Sequence, residues 1–415
     1  MSAVASARSI AIATTIARAV QTFTRLGLPP PIAATLLALI ASTAILLADA
    51  AGLSMGPAAR ALVERAHFRE TLLDGLLPFL LFAGALHVDL DALPGEKLVV
   101  GLLSTTGVVV STALVGALTM VVAKPFGFQM TLGEGLLFGA LISPTDPIAV
   151  LGMLRASRAP ERLEVSMAGE SLFNDGVGVV VFFALVDITA HRTVGAGAIG
   201  VLLVREIAGG MLLGYIFGRL GRRILRQIGD HRIAILITLV LTIGLYGLAN
   251  VLGSSGLLAV IVAGLLHSKS VRSGEAHSSP VAERLLAFWA NLDRFLNLVL
   301  FALIGLEALV VPFTPRALVA GLLAIPIVLL ARLAVVGGTL VPLARRLRLP
   351  PRAISILTWG GLRGGLALAL ALSIDPAIAD APLFVTMTYV VVVFSIVVQG
   401  LTFKYLLPSP AAPPT

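Results

Sequence analysis

Apolar windows about 20 residues long recur from one end of the chain to the other, each long enough to cross a hydrocarbon core of roughly 30 Å as a helix. Twelve are predicted, at 32–50, 71–90, 97–123, 134–154, 166–190, 197–218, 233–250, 253–268, 286–309, 317–342, 353–374 and 383–406, and are numbered here as spans one to twelve. A thirteenth at 8–25 carries Arg8, Arg18 and Arg25, so an interfacial amphipathic helix is an equal expectation there. Two spans are interrupted. Span four contains Ser143-Pro144-Thr145-Asp146-Pro147, where two prolines remove backbone donors and a charged side chain sits at membrane depth. Span eleven contains Gly360-Gly361-Leu362-Arg363-Gly364-Gly365, four glycines around an arginine.

The predicted fold class is an all-α membrane protein with 12 or 13 transmembrane helices. One interrupted span falls in each half of the chain, and alternation makes the two run in opposite directions. Inverted-repeat transporters use that arrangement to make two discontinuous helices cross at the midplane and build a site there. Residues 1–415 are therefore expected to form one polytopic membrane domain with no soluble domain; the tail after Leu407 is a short Pro/Ala stretch.

Composition agrees. The chain is 58% hydrophobic and 13% charged, against about 25% charged in soluble proteins. With no cysteine, disulfides, thiol catalysis and thiolate metal sites are excluded. No cleavable signal peptide is evident at Ser9–Val20, which Arg18 interrupts. The net charge of +8 is a matter of topology. Lys97, Arg155, Arg158, Arg162, the cluster Arg219–Arg232, Lys269, Arg272, Arg284 and the cluster Arg345–Arg352 all follow even spans. Fewer basic residues, Arg60, Arg65, Arg69, Lys124, Arg192 and Arg316, follow odd ones. The even side is therefore expected to be cytoplasmic, with the C-terminus inside and the chain in the inner (plasma) membrane, and a nucleic-acid partner loses its only support.

An ionisable group at the bilayer centre costs at least about 2.5 kcal/mol on insertion scales, so each needs a partner or a function. Gly169-Glu170-Ser171-Leu172-Phe173-Asn174-Asp175-Gly176 is the densest group. Glu170 and Asn174, like Ser171 and Asp175, are four residues apart, so all four are expected on one side of span five. Asp175 is the expected ion carrier: one carboxylate holds a proton or a cation, not both, and that competition is itself an exchange mechanism if only loaded forms change state. Ser171 and Thr145 offer hard oxygen ligands for a small alkali ion, and Asn174 an amide that holds its neighbours without titrating. Half-helix ends carry about half a charge each. Asp146 is expected to neutralise converging N-terminal ends, and Arg363 the C-terminal ends while pairing with Glu170.

Other charges receive plainer readings. Arg205 and Glu206, and Asp293 and Arg294, read as local compensation or interfacial snorkelling; Asn297 as a helix–helix hydrogen bond, with cavity lining as the alternative; Glu307 as a solvated helix end, with a cation funnel as the alternative. His87, Asp89 and Asp91 could form an access funnel at the even side. No cofactor motif is present, and no catalytic residues are assigned.

Four segments together resemble the sodium/proton exchanger family of monovalent cation:proton antiporters: Ser143–Pro147, Gly169–Gly176, Phe301–Leu306 and Trp359–Gly364. The resemblance covers nearly the whole chain. It implies inverted repeats, a core and a dimerisation subdomain interleaved in sequence, a homodimer, elevator-like alternation, and electroneutral exchange of Na+ or Li+ for H+. It also implies an ion site at Asp175 with Ser171 and Thr145, organised by Asn174 and Glu170, with Arg363 paired to Glu170. Where many members carry an acid in a segment like Leu81–Leu86, this chain has Ala83, which leaves K+ or another monovalent cation as the alternative substrate. From a different class, an intramembrane aspartyl protease using Asp146 and Asp175 is a remote alternative: neither aspartate follows Gly-x-Gly, and the pair would have to share a proton at about 3 Å.

Overall fold

The computed structural model describes residues 28–88, 96–157, 159–191, 196–272, 279–347 and 352–407. The possible helix at 8–25, Asp89, Asp91 and the tail lie outside the described residues. Each of the twelve apolar windows coincides with a helix or a pair of half-helices, and no strand occurs among the described residues. Among the described residues, seven helices are long and apolar enough to cross a membrane on length and composition alone, including Pro30–Ala50, Glu161–Ala190 and Pro315–Leu343.

The local chemistry is that of ordinary helices. Thr131 and Glu134 form a reciprocal capping box that starts span four. Asp230 and Asp380 accept backbone N–H groups at the starts of spans seven and twelve. Ile40, Leu47, Val109, Val204, Leu236, Val240, Leu322 and Leu330 are exposed, an arrangement suited to lipid rather than water.

Spans four and eleven break where proline and glycine predict. Span four is Leu132–Ile142 followed by Ile148–Ala156, and span eleven is Ala353–Trp359 followed by Gly365–Ala371. The first half of span four packs on the second half of span eleven, as antiparallel spans require. The breaks touch: Asp146 N donates to Leu362 O at 2.8 Å.

Helix packing sorts the spans into two groups. Spans three, four, five, ten, eleven and twelve pack mainly on one another, as do spans one, two, six, seven, eight and nine. Side-chain hydrogen bonds tie each group internally. Thr35 Oγ1 donates to Phe301 O, Ser268 Oγ to Val88 O and Trp289 Nε1 to Thr238 Oγ1 in the second group. Arg332 with Glu170 and Asn174 with Thr145 do the same in the first. The seam between the groups is apolar and closely fitted, with Gly176 against Leu258 and Ile261, Gly365 against Leu300 and Leu72, and Gly400 against Ile32.

Candidate functional site

The crossing leaves backbone groups that helices would normally satisfy, and in an apolar surrounding each needs a partner. Arg363 Nη1 donates to Ser143 O at 2.6 Å and Pro144 O at 2.9 Å, the carbonyl end of the first half of span four. Ser395 Oγ accepts Arg363 N at 2.9 Å and donates to Gln399 Oε1, while Gln399 Nε2 donates to Trp359 O at 3.0 Å. Both polar residues come from a π-helical turn in span twelve. Asp146 serves the opposite polarity: its Oδ1 accepts Ile148 N at 3.1 Å, and its carboxylate lies against Gly364, where a Cβ would overlap it. The carboxylate thus stands between two half-helix N-termini, as expected from their partial positive charges.

The expected pairing of Arg363 with Glu170 is not what forms. Glu170 is held bidentately by Arg332 of span ten, with Nη1 on Oε1 and Nη2 on Oε2 at 3.0 Å. Arg332 Nη2 also donates to Leu357 O at 2.8 Å, near the carbonyl end of the first half of span eleven. The two arginines therefore divide the work. Arg363, 2% exposed, spends its bonded guanidinium nitrogen on the span-four carbonyls, and Arg332 serves span eleven and neutralises Glu170. Arg332 escaped notice because it stands alone in the apolar run of span ten, though the rule that an intramembrane charge needs a partner points to it.

The four polar residues of span five do not share one environment. Ser171 and Asp175 line a cavity of about 910 Å³, whereas Glu170 and Asn174, one position back on the helix, turn toward Arg332 and Thr145. Asn174 Oδ1 accepts Thr145 N at 3.3 Å and its Nδ2 donates to Thr145 Oγ1 at 2.8 Å. Ser171 Oγ donates to Thr145 O at 2.5 Å. Thr145 is thus fixed through its N–H, carbonyl and hydroxyl, and both hydroxyl oxygens keep a lone pair. Among the described residues no ion pair involves Asp175 or Asp146. Asp175 feels the charge of Asp146.

The cavity lies between the two helix groups. Besides Thr145, Asp146, Ser171 and Asp175, it is lined by His87, Arg155, Glu164, Asp293 and Asn297. His87, Arg155 and Glu164 sit at or near the even-side ends of spans two, four and five, and Arg155 is exposed, so the mouth is on the even side. Asn297 bonds within its own helix, to Asp293 Oδ1 at 3.1 Å, rather than to another helix. Arg294 donates to Ala290 O and Asn291 Oδ1, while its charge still acts on Asp293, so the two compensate each other without a direct hydrogen bond between them. Glu307 is 6% exposed, a buried group rather than a solvated helix end. Ala83 does not face the cavity: it is buried with Phe82, Ala249, Ala259 and Trp289, and its carbonyl accepts His87 Nδ1 at 2.7 Å.

Two antiparallel broken helices crossed at a carboxylate-bearing cavity, in an all-helical membrane protein, define a secondary transporter and not an enzyme. The family model "Sodium/hydrogen exchanger, transmembrane" matches residues 10–408, and the chain belongs to that family. It is 42% identical over 353 residues to the Na+/H+ antiporter NhaP of Pseudomonas aeruginosa, covering 83% of this chain and 82% of that one. It is 31% identical to the Na+/H+ antiporter NhaH of Halobacillus dabanensis, over 84% and 85% of the two chains. The sodium proton antiporter MjNhaP1 of Methanocaldococcus jannaschii has the same fold, with a TM-score of 0.68 at 18% identity over 91% of this chain and 97% of that one.

Proposed function

We propose that the protein is a secondary active antiporter that exchanges Na+, or Li+, for H+ across the membrane, with proton and cation competing at Asp175. The observation that carries this reading is the asymmetry between two neighbouring carboxylates. Glu170 is neutralised by Arg332, while Asp175 opens into the cavity without an ion pair. A carboxylate left without a basic partner in a partly dry site is balanced by whichever cation arrives, proton or metal. Ser171 and Thr145 supply further oxygen ligands, Asn174 orders Thr145, and Asp146, Glu170, Arg332 and Arg363 fix the crossing. One such exchanging acid per site favours one proton per cation, hence electroneutral exchange.

Alternation of access belongs to the same reading. The group containing spans four, five and eleven is the transport core and the other the dimerisation scaffold of a homodimer. Support for movement between them comes from the apolar seam, which has few directional bonds to break. The even side, rich in arginine, is read as cytoplasmic, so the cavity is inward-facing and the C-terminus inside.

Purified protein in proteoliposomes tests the reading. An imposed Na+ gradient is expected to drive opposing proton flux, and Asp175→Asn to abolish it. Normal flux in Asp175→Asn, or flux with K+ but not Na+ or Li+, overturns the respective assignment.

A further inference from the structure

The cavity has a second oxygen-rich wall. Asp293 and Asn297 lie one turn apart on span nine, so their side chains share a face, and both line the cavity opposite the broken helices. The hydrogen bond from Asn297 Nδ2 to Asp293 Oδ1 at 3.1 Å fixes the amide so that its oxygen is turned away from the nitrogen already used. Asn297 is 2% exposed, and its Oδ1 has no hydrogen-bond partner. A buried acceptor left without a donor costs about 1–3 kcal/mol, and a partner is therefore to be sought in what the cavity admits. A donor from the protein would have satisfied it; a cation satisfies an amide oxygen and a carboxylate together.

Two nearby arginines make their hydrogen bonds to other groups. Arg294 is tied to Ala290 O at 3.1 Å and Asn291 Oδ1 at 2.8 Å, and Arg155 to Glu164 at 2.5 Å. Asp293 feels the charges of His87, Arg155 and Arg294 from the mouth, and on its inner side Asp146 feels the charge of Asp293. Asp175 in turn feels the charge of Asp146. Asp293, Asp146 and Asp175 thus line the inner part of the cavity, with the basic groups on the side of the mouth.

The geometry points to a second holding site for a monovalent cation at Asp293 and Asn297, on the span-nine wall of the cavity that opens to the even side. This assignment rests on the reading of Asp175 as the exchange carboxylate. The ligands are the free oxygen of Asp293 and Asn297 Oδ1, with water completing the shell. Because span nine belongs to one helix group and Asp175 to the other, the cation is handed from scaffold to core before exchange. The site acts on ion capture from the even side and takes no part in the proton–cation competition itself.

The test uses the full chain in everted and right-side-out membrane vesicles, with Na+-driven proton flux measured against Na+ concentration from each face. Asp293→Asn is expected to raise the apparent KM for Na+ about tenfold from the even side, with the maximal rate changing less than about twofold, as expected when capture rather than chemistry is lost. Asn297→Ala is expected to raise it in the same direction, and Asp293→Glu to restore it to within about threefold. From the odd side KM is expected to stay within about twofold. An unchanged even-side KM in Asp293→Asn, or an equal rise on both faces, overturns the second site. Asp175→Asn run in parallel keeps the two readings apart. Normal transport by that variant removes the exchange role of Asp175, whereas its inactivity together with a silent Asp293→Asn removes the second site alone.

Discussion

Two buried arginines hold the crossing from different sides, and their partners predict different consequences of losing them. Arg332 is committed to a carboxylate and to Leu357 O, so Glu170→Gln or Arg332→Gln leaves a buried charge uncompensated. Each single substitution is expected to destabilise the protein by about 3–5 kcal/mol, and the double substitution Glu170→Leu with Arg332→Met by much less than the sum. Thermal unfolding in detergent measures this. Arg363 faces only carbonyls through its bonded nitrogen, so its loss removes charge-assisted donors without stranding an anion. At this scale the sequence paired Glu170 with Arg363, whereas in the fold its partner is Arg332. Scarcity of charge identifies which residues need partners; it carries no information on which of two arginines, one in an apolar helix and the other 31 positions on in a helix break, reaches a given carboxylate. Only the meeting of spans five and ten decides that.

At the scale of the helical elements, the breaks were legible because proline and glycine act locally: no continuous ladder can pass Pro144 and Pro147. What completes them was not. Ser395 and Gln399 sit in an apolar helix with nothing to mark them, and the π turn that brings both to the break of span eleven is invisible to hydrophobic periodicity. The two breaks fit closely enough that a single methyl group is a sensitive probe. Gly364→Ala places a Cβ into the Asp146 carboxylate. It is expected to cut exchange at least about tenfold, the effect of some 1.4 kcal/mol of misfit, while leaving the protein folded. Flux assays paired with unfolding curves separate the two effects, and wild-type flux in that variant is incompatible with the crossing described above.

For the molecule as a whole, twelve spans were readable from apolar runs, and the side of the mouth agrees with the side rich in basic residues. The division into two helix groups was not readable from spacing, because each group gathers spans from both halves of the chain. A chain without cysteine allows the state of the cavity to be probed at one position. Gly152 lines the cavity near its mouth, with nothing within 4 Å of where its Cβ would be. Gly152→Cys is expected to react with a membrane-impermeant thiol reagent added to everted vesicles and to resist it in right-side-out vesicles; the opposite pattern would reverse the orientation. The main-chain bond from Asp146 to Leu362 has a wider consequence. Together with Arg363 on Ser143 and Pro144 and span five on Thr145, it ties the proposed ion site into one bonded unit within one helix group. A site that is transported intact offers the same oxygen geometry whichever way it faces. The order of preference among Na+, Li+ and K+ should therefore be identical from the two sides of the membrane, even where the affinities differ.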